Sequence, residues 1–430
     1  MPRQSHRPLR AARRPINLSR GAFRQLAAAL GVATLMAVQA RADWKLTTSD
    51  LKTADHLTLN TWTLGEGLSA TDQSGKLVTF QSRDILSIDS GRAVTPDASR
   101  AWKLSLLNGD TLYGDALGFS GKSLQFKTIE LGTVSVPLKR VATLTAPVFG
   151  SAAATPKKLP TAPDHDIVVF KATGDKLEGL ILGVDLNRVQ VQPQGNTDPT
   201  DIPLEKVDAM VFGGARPQRE IPPLSMRMTF QSGTTYTASL ATTPENKDPF
   251  NWSINQLVLK DAAGKDLTVS NLDRISRVEI VGGRVVYLTE LDFVSSDQTS
   301  FLGTSWPAQI NRNVLGQPMK IAHQSFDRGI GVHTKSTLVY DIQGGFDLLT
   351  LRVGLDDSAA PNGQAQASIV LDGKTIWKTD PAKPLKPGVL SDELKLAVKG
   401  GKRLELHADP AARLDVQGRV DWVNVALHRE

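Results

Sequence analysis

Short runs of alternating apolar and polar residues fill the chain from about residue 50 to residue 285, and no long stretch shows a helical period. In residues 102–107 (WKLSLL) and 167–171 (IVVFK), apolar side chains can cover one face of a sheet. The sequence NGD at 108–110 predicts a hairpin turn, because asparagine and glycine tolerate the positive φ of tight turns. The pattern therefore predicts an all-β fold.

A weak internal repeat organises this region. Each copy carries a turn with glycine at its centre, followed by a closing element that reads as a strand, a short turn and a second strand. In the first of these closers, V-P-L places proline at a strand edge. The turns lie at 106–114 (LLNGDTLYG), 171–179 (KATGDKLEG) and 230–238 (FQSGTTYTA), and the closers at 133–144, 200–212 and 266–280.

A related closer at 76–89 indicates a degenerate first unit. We expect each unit of about five short strands to close into a small barrel, because closure removes exposed sheet edges. The pattern resembles the SH3-like or Sm-like small-barrel repeats of exported bacterial proteins. The predicted organisation is barrel-like repeats at 43–145 and 167–282 joined by an Ala/Pro-rich linker at 146–166, with a second linker at 213–223.

The segment from residue 285 has a different character. Strands such as STLVYDI, LLTLRVGL, ASIVLDG and RLELHAD are separated by turn residues, and DG at 372–373 reads as a two-residue hairpin turn. This pattern predicts an antiparallel β-sandwich.

The order and spacing of these strands, with FLGTSWPAQINRNVLGQPMKI at 301–321 and RGIGVHTKSTLVYDI at 328–342, resemble the NPCBM domain. This domain is a carbohydrate-binding module that accompanies some glycoside hydrolases. The resemblance implies a galactose-binding-like jelly roll over residues 285–430, in an extracytoplasmic protein that binds sugars.

The excess of positive over negative charge comes from the start of the chain. The formal net charge is +6, and residues 1–42 hold eight arginines and no acidic residue, so removing those eight charges leaves −2. An apolar stretch at 26–38 and ARA at 40–42 complete the pattern of a secretory signal peptide, too short for a membrane span. Arg13-Arg14 leaves Sec and twin-arginine export both open. We expect a periplasmic, secreted or cell-surface protein without a membrane span after cleavage.

Several function classes are excluded or disfavoured. The absence of cysteine excludes disulfides, zinc–thiolate sites and a cysteine nucleophile. The charge of the chain after the leader argues against a nucleic-acid partner. No G-x-S-x-G, H-E-x-x-H or P-loop pattern occurs, so the sequence indicates a protein that is not an enzyme.

His333 stands at the start of a predicted strand. Gly329 and Gly331 precede it and permit a close approach of another backbone segment. No H-x-H, H-x-x-x-H or E-x-x-H spacing accompanies it, and GIGVH lacks the third glycine of a dinucleotide loop. We interpret Gly329, Gly331 and His333 as markers of the fold, with His333 bracing the strand.

Asp356 and Asp357 are the most distinctive pair of carboxylates. Paired carboxylates serve glycoside hydrolysis, but neighbours on a strand point to opposite faces and cannot easily flank one bond. A structural role is favoured, in which one carboxylate braces a loop or, with backbone carbonyls, holds a calcium ion. No other cofactor is expected.

Sugar recognition needs an aromatic face for the C–H surface of the ring and polar side chains for its hydroxyls. Trp422 lies in an alternating strand and is expected in the core, whereas other segments are predicted as loops. The candidate carbohydrate-binding residues on these loops are Trp306, Asn311, Arg312, Asn313, Asp357, Asn362 and Gln364.

The sequence thus predicts an exported, non-catalytic modular protein that binds carbohydrate or a cell-surface glycan through its C-terminal domain. The repeats would serve as a spacer or docking surface. Two alternatives stay open. One is a structural or adhesion protein whose sandwich contacts a protein partner, since a fold does not fix a function. The other is an accessory part of a glycoside hydrolase system.

Overall fold

The computed structural model places all the residues it describes within one compact unit, Asp43–Glu430. Among these residues are short strands, tight turns and five 3-10 helices, and no α-helix. None of their helices is long and apolar enough to cross a membrane. The predicted signal segment and most of both predicted linkers lie outside the described part of the chain. The described residues are 43–96, 102–120, 122–147, 159, 163–214, 223–242, 248–260, 264–299, 306–412 and 417–429.

Four successive units share one order of elements. In each, a 3-10 helix precedes the last strand, and the last strand pairs with the first. The first unit has β1 (Trp44–Thr48), β2 (Thr53–Thr63), β3 (Gly67–Thr71), β4 (Leu77–Phe80), a 3-10 helix (Ser82–Asp84) and β5 (Ile85–Asp89). The second has β6 (Trp102–Leu106), β7 (Thr111–Ser120), β8 (Ser123–Thr128), β9 (Gly132–Pro137), a 3-10 helix (Leu138–Arg140) and β10 (Val141–Thr145).

The third unit repeats this order with five strands, and the fourth has six because its second strand is interrupted. The third has β11 (Asp166–Phe170), β12 (Lys176–Val184), β13 (Arg188–Pro193), β14 (Thr200–Pro203), a 3-10 helix (Leu204–Lys206) and β15 (Val207–Val211). The fourth has β16 (Ser225–Phe230), β17 (Thr235–Ser239), β18 (Phe250–Trp252), β19 (Leu257–Lys260), β20 (Asp266–Val269), a 3-10 helix (Leu272–Arg274) and β21 (Ile275–Val281).

The glycine turns predicted for the repeats are present. Between β6 and β7, Gly109 has a φ of +88°, and the Leu106 N–H donates to the Asp110 carbonyl at 2.9 Å. Gly174 and Gly233, with φ of +76° and +83°, hold the matching positions in the third and fourth units. Side chains other than glycine are strained at such φ, so these three positions fix the hairpins.

The units complete one another's sheets. β10 pairs with β15 and joins the second and third units into a ten-stranded sheet, while β5 pairs with β21 and joins the first and fourth into an eleven-stranded sheet. The last strand of every unit is thereby covered, which protects an edge that would otherwise invite aggregation. The predicted closure into separate barrels is replaced at these edges by pairing between units. The resemblance to SH3-like or Sm-like barrels stays a prediction.

The turn after β6 also contacts the fourth unit. Asp110 is 2% exposed, and its carboxylate accepts hydrogen bonds from the Thr237 N–H at 2.7 Å and the Thr237 hydroxyl at 2.8 Å. The Thr111 N–H donates to the Thr235 hydroxyl at 2.7 Å. Asp175, at the equivalent position of the third unit, is exposed. One repeat position therefore has two different environments.

The remaining strands form an antiparallel sandwich, with β25 and β26 paired with each other as a separate hairpin, in agreement with the predicted all-β class. They are β22 (Val285–Tyr287), β23 (Ser295–Gln298), β24 (Gln309–Ile310), β25 (Met319–Ile321), β26 (Gln324–Phe326), β27 (Gly329–His333), β28 (Ser336–Asp341), β29 (Leu348–Leu355), β30 (Ala365–Leu371), β31 (Lys374–Lys378), β32 (Leu394–Ala397), β33 (Arg403–Pro410) and β34 (Arg419–His428), with a 3-10 helix at Leu288–Glu290. One sheet has the order β24-β27-β34-β29-β32 with β22 beside β34, and the other β23-β28-β33-β30-β31.

One hydrophobic core lies between these two sheets. Trp422, Tyr340 and Leu406 are 0% exposed, and Phe346 is 1% exposed. Each fully buried side chain of this size contributes about 1.5–3 kcal/mol relative to exposure. The prediction that Trp422 is a core residue is confirmed.

An ion cluster with little exposure fastens the sandwich to the fourth unit. The Arg328 guanidinium binds Glu279 of β21 and, at 3.3 Å, Glu290, and it lies 4.3 Å from the centre of the Tyr287 ring. Burial by itself would raise the pKa of Glu279, but Arg328 and Arg277 lower it. Burial raises the pKa of Glu290 despite Arg328. Arg328 is thus shared by both carboxylates, and Glu279 also pairs with Arg277 at 3.2 Å.

Candidate functional site

An aromatic stack lies where β27 ends and β34 begins. The antiparallel register places His333 opposite Arg419, the first residue of β34. The Trp306 indole lies against the His333 imidazole, with ring centres 5.7 Å apart and planes 18° from parallel. Both side chains are half-buried. The stack lies at the end of the strand and forms part of the surface, and the bracing role of His333 stays a prediction.

Arg419 ties a loop to the same end of the sandwich. Its Nη1 donates to the Ser358 carbonyl at 2.6 Å, and its own carbonyl accepts a hydrogen bond from the Asp356 N–H at 2.9 Å. The Gln417 Oε1 accepts a hydrogen bond from the Ala360 N–H at 3.3 Å. The loop that follows β29 therefore lies beside the aromatic stack. A guanidinium offers a planar fork of five donors, a shape suited to neighbouring hydroxyls.

Gly329 and Gly331 allow other backbone to pass β27 at close range. A Cβ at Gly331 would lie 2.4 Å from the Arg312 carbonyl oxygen, and one at Gly329 would lie 2.5 Å from that of Trp422. Any side chain would force these segments apart. The close approach predicted from the two glycines is confirmed.

The loop that crosses β27 is held by a buried carboxylate. Asp356 is 1% exposed, and its Oδ1 accepts a hydrogen bond from the Asn313 Nδ2 at 2.9 Å. Its Oδ2 accepts one from the Lys320 N–H at 3.1 Å. This is the bracing role predicted for the aspartate pair. Asn313 is only 3% exposed, so it holds the loop and is enclosed, in contrast to the prediction that it contacts sugar.

Asp357 braces the neighbouring hairpin of β25 and β26. Its N–H donates to the Lys320 carbonyl at 2.7 Å, and its Oδ2 accepts a hydrogen bond from the His323 N–H at 2.9 Å. Ala322 and His323 both have positive φ, so the turn needs such a brace. The Asp357 side chain is 22% exposed and the His323 side chain 99% exposed.

A second buried carboxyl lies beside Asp356. The register places Asp421, 0% exposed, between Gly331 and Gly354 of the flanking strands. Burial, and then the charge of Asp356, raise the pKa of Asp421 to about 9. Burial would also raise the pKa of Asp356, but the hydrogen bonds that it accepts from Ser358 and Lys320 lower it. At neutral pH Asp421 is therefore protonated and Asp356 is charged.

Within the described part of the chain, no group of three or more His, Asp or Glu side chains is placed to bind a metal ion. Both oxygens of Asp356 already accept hydrogen bonds from Asn313 and Lys320. Of the two structural roles considered for the aspartate pair, the loop brace is the one that these contacts support.

The remaining predicted sugar ligands fall into two groups. Trp306 belongs to the stack, and Asn362 and Gln364 belong to the loop that Arg419 holds, where Asn362 is exposed and Gln364 half-buried. Asn311 hydrogen-bonds the Gly329 carbonyl at 2.7 Å, at the other end of β27. Gly329 lies four residue steps along the strand from His333, about 13 Å.

Arg312 is exposed and follows Asn311, and its carbonyl passes Gly331 in the middle of β27. Arg419 was not among the residues predicted to bind sugar, and His333 was predicted to be a fold marker alone. Arg419 is a charged residue at the start of the last predicted strand. This position is the feature of the sequence that could have marked it as a candidate. Its proximity to His333 depends on the pairing of two strands that are far apart in sequence.

The sandwich matches a known family. Residues 284–428 match the model described as NPCBM/NEW2 domain. The C-terminal sandwich is an NPCBM/NEW2 domain. This confirms the resemblance drawn from the strand order and from the RGIGVH segment.

Two solved CBM51 structures from Clostridium perfringens are similar to this chain. The CBM51 of GH95, in complex with methyl-galactose, is 20% identical, with a TM-score of 0.30, 33% of this chain covered and 99% of that chain. The CBM51-2 and INT domains of ZmpB, in complex with GlcNAc, are 17% identical, with a TM-score of 0.31, 46% of this chain covered and 44% of that chain.

A curated relative from Renibacterium salmoninarum carries the name endo-alpha-N-acetylgalactosaminidase. It is 26% identical over 109 residues, which is 25% of this chain and 7% of that protein. This chain therefore spans only a small part of the relative that it matches.

Proposed function

We propose that the NPCBM/NEW2 domain binds carbohydrate at the rim formed by Trp306, His333, Arg419 and the loop after β29. The observation that carries the proposal is the Trp306–His333 stack beside Arg419, within a domain whose family is one of carbohydrate-binding modules. The rim does not include Asn311, at the other end of β27, or Arg312, beside Gly331.

The chemistry of the rim suits a pyranose ring. An indole presents a broad apolar face, which suits the C–H surface of a sugar ring. The Arg419 fork donates to adjacent hydroxyls, and its bond to the Ser358 carbonyl keeps it oriented before the sugar arrives. Asn362 and Gln364 offer amide donors and acceptors from the same loop. Binding at such a shallow rim would be weak.

Calorimetric titration of the full chain with methyl-galactose and with GlcNAc tests the proposal, followed by a glycan array to widen the choice of sugars. We expect Trp306→Ala and Arg419→Gln each to lower the affinity at least tenfold, because each removes one of the two contacts. Arg312→Gln is the matched control, since it removes an exposed guanidinium that is not part of the rim and should leave the affinity unchanged.

Two results would contradict this assignment. One is sugar binding that both rim variants leave intact and that Arg312→Gln abolishes. The other is no binding to any glycan while a protein partner co-purifies with the folded chain, which would favour the adhesion alternative.

We further propose that the protein acts outside the cytoplasm and is not a catalyst, with the repeats as a spacer or docking surface. The basic and apolar leader supports export, and the brace formed by Asp356 and Asp357 supports a non-catalytic role. Mass spectrometry of the mature protein that finds Met1 would contradict cleavage of the leader. Hydrolysis of a chromogenic glycoside that a single carboxylate substitution abolishes would contradict the non-catalytic role.

A further inference from the structure

A pocket of about 500 Å³ lies between the first unit, the fourth unit and the residues that flank the first and last strands of the sandwich, Arg284 and Arg429. We call it the junction pocket and define it by Trp62, Leu240, Phe250, Ile280, Arg284 and Arg429. Its volume falls in the range typical of sites for small ligands. It contains none of the residues of the proposed carbohydrate rim.

The floor of the junction pocket is apolar. Trp62 and Phe250 are each 1% exposed, and their rings pack edge to face with centres 5.3 Å apart. The Trp62 Nε1 donates to the Ser82 hydroxyl at 3.1 Å, and that hydroxyl donates to the Thr63 carbonyl at 2.8 Å. The polar groups of the floor are therefore already paired with one another. A ligand that reaches the floor must be apolar there.

The wall of the pocket is cationic. Arg83, Arg284 and Arg429 all line it. Asp84 is the shared partner of two of them, with its Oδ1 at 3.1 Å from Arg284 and 3.9 Å from Arg83. One carboxylate thus serves two guanidinium groups.

Arg429 has a different environment from these two. Its guanidinium lies 4.6 Å from the centre of the Phe346 ring. Among the described residues its buried Nε has no hydrogen-bond partner, and none of their carboxylates forms an ion pair with it. Burial lowers the pKa of Arg429, as expected for a cation removed from water. Arg429 therefore lines the wall without a carboxylate partner among the described residues.

We propose that the junction pocket binds a small amphiphilic molecule with an apolar body and one carboxylate. The body would replace water on the floor, where each Å² of apolar surface buried contributes about 25 cal/mol. The carboxylate would accept hydrogen bonds from Arg429 in the bidentate geometry that guanidinium groups favour. A sugar would leave its hydroxyls unpaired on the floor, and an organic cation would be repelled by the wall.

Calorimetric titration of the full chain with decanoate, below the concentration at which it forms micelles, tests this proposal. Decanol and decyltrimethylammonium supply the same apolar body with a neutral and a cationic head. We expect decanoate to bind with one-to-one stoichiometry and at least tenfold more tightly than decanol, and the cation not to bind. A saturating concentration of methyl-galactose should not displace decanoate, so this result is independent of the proposed carbohydrate site.

Arg429→Gln should weaken decanoate binding at least tenfold and leave decanol unaffected. Arg140→Gln, which removes an exposed arginine of the second unit, should change neither. Equal affinities of the wild-type chain for decanoate and decanol would overturn the role of the carboxylate.

Gly283→Val provides a second variant that fills the pocket. A Cβ at Gly283 would lie 3.2 Å from the Ile280 Cγ2 and 3.6 Å from the Leu224 Cδ1, so the added methyl groups occupy ligand space. We expect at least a tenfold loss of decanoate binding, with an unchanged circular dichroism spectrum. Absence of decanoate binding to the wild-type chain, or binding that survives both Arg429→Gln and Gly283→Val, would overturn the proposal.

Discussion

The repeat region and the sandwich reach the same all-β composition in different ways. In the repeats, strands from different units complete each other's sheets, so β5 of the first unit depends on β21 of the fourth. In the sandwich, the residues from Val285 to His428 supply both sheets and the single core between them. The comparison indicates that one repeat cannot be removed without exposing the edge of another, whereas the sandwich keeps its sheet pairing to itself.

The two regions also use their turns differently. In the repeats, the Asp110 side chain in its turn is hydrogen-bonded to Thr237 of the fourth unit. In the sandwich, the segments around Trp306 and Arg419 form a rim in which polar and aromatic side chains reach the surface. The side chains suited to bind a ligand therefore lie at this end of the sandwich, whereas the turn at Asp110 contributes to packing between repeat units.

The largest expected effect comes from breaking the link between the two regions. Arg328→Ala leaves Glu279 and Glu290 with little exposure and without their shared cation, and removing one partner of a buried ion pair costs about 3–5 kcal/mol. We expect the free energy of unfolding to fall by this amount, and the sandwich and repeats to unfold in separate steps. Urea denaturation followed by tryptophan fluorescence and circular dichroism measures both.

Arg352→Ala is the control for this prediction, because Arg352 is a half-buried arginine that lies within the sandwich on β29. It should leave one transition. If Arg328→Ala unfolds at the wild-type midpoint in a single step, the ion cluster does not couple the regions.

The next effect concerns the sandwich alone and depends on pH. The folded-state pKa of Asp421, about 9, lies above its ordinary value of 3.8, so the folded protein keeps a proton that the unfolded chain releases. The contribution of this proton to the free energy of unfolding is greatest below about pH 4. The free energy of unfolding should therefore fall as the pH rises toward 9, by up to about 1.4 kcal/mol per pH unit. Asp421→Asn should remove this slope and be more stable than wild type at pH 8.

Thermal or urea denaturation at a series of pH values measures the slope. Asp297→Asn, which neutralises an exposed aspartate of β23, should leave it unchanged. A variant at Asp421 that unfolds with the wild-type pH dependence would show that this carboxyl is not held protonated.

A smaller effect separates two equivalent positions of the repeats. Asp110→Ala leaves the N–H and hydroxyl of Thr237 without their acceptor, which should cost about 1–3 kcal/mol. Asp175→Ala changes an exposed residue in the matching turn and should stay within about 0.5 kcal/mol. Equal losses of unfolding free energy in the two variants would mean that the contact between units adds nothing to the turn itself.

The sequence allowed the local structure of the repeats to be predicted because the causes are local. Alternation gave the strands, and Gly109 and Gly174 gave the hairpins at positive φ. The pairing of β5 with β21 could not be predicted, because ladders between strands are built from backbone groups that nearly every residue carries. Nothing in the residue types of two edge strands distinguishes one partner from another.

In the candidate site, too, contacts between distant segments could not be predicted from the sequence. Trp306 and Asn362 could be proposed from residue type and loop context. Asn313 looked similar, but a loop crossing close to Gly331 encloses it, and that crossing is a tertiary feature. Arg419 was missed because it joins the rim only through the register of β34 with β27.

A crystal structure of the full chain with a bound sugar, chosen from the glycan array, tests the central claim most directly. The account predicts a pyranose ring packed against Trp306, with a hydroxyl about 2.7–3.2 Å from the Arg419 guanidinium. A sugar bound to the repeats, or to the loop of Asn311 and Arg312, with the rim at Trp306 vacant, would contradict it.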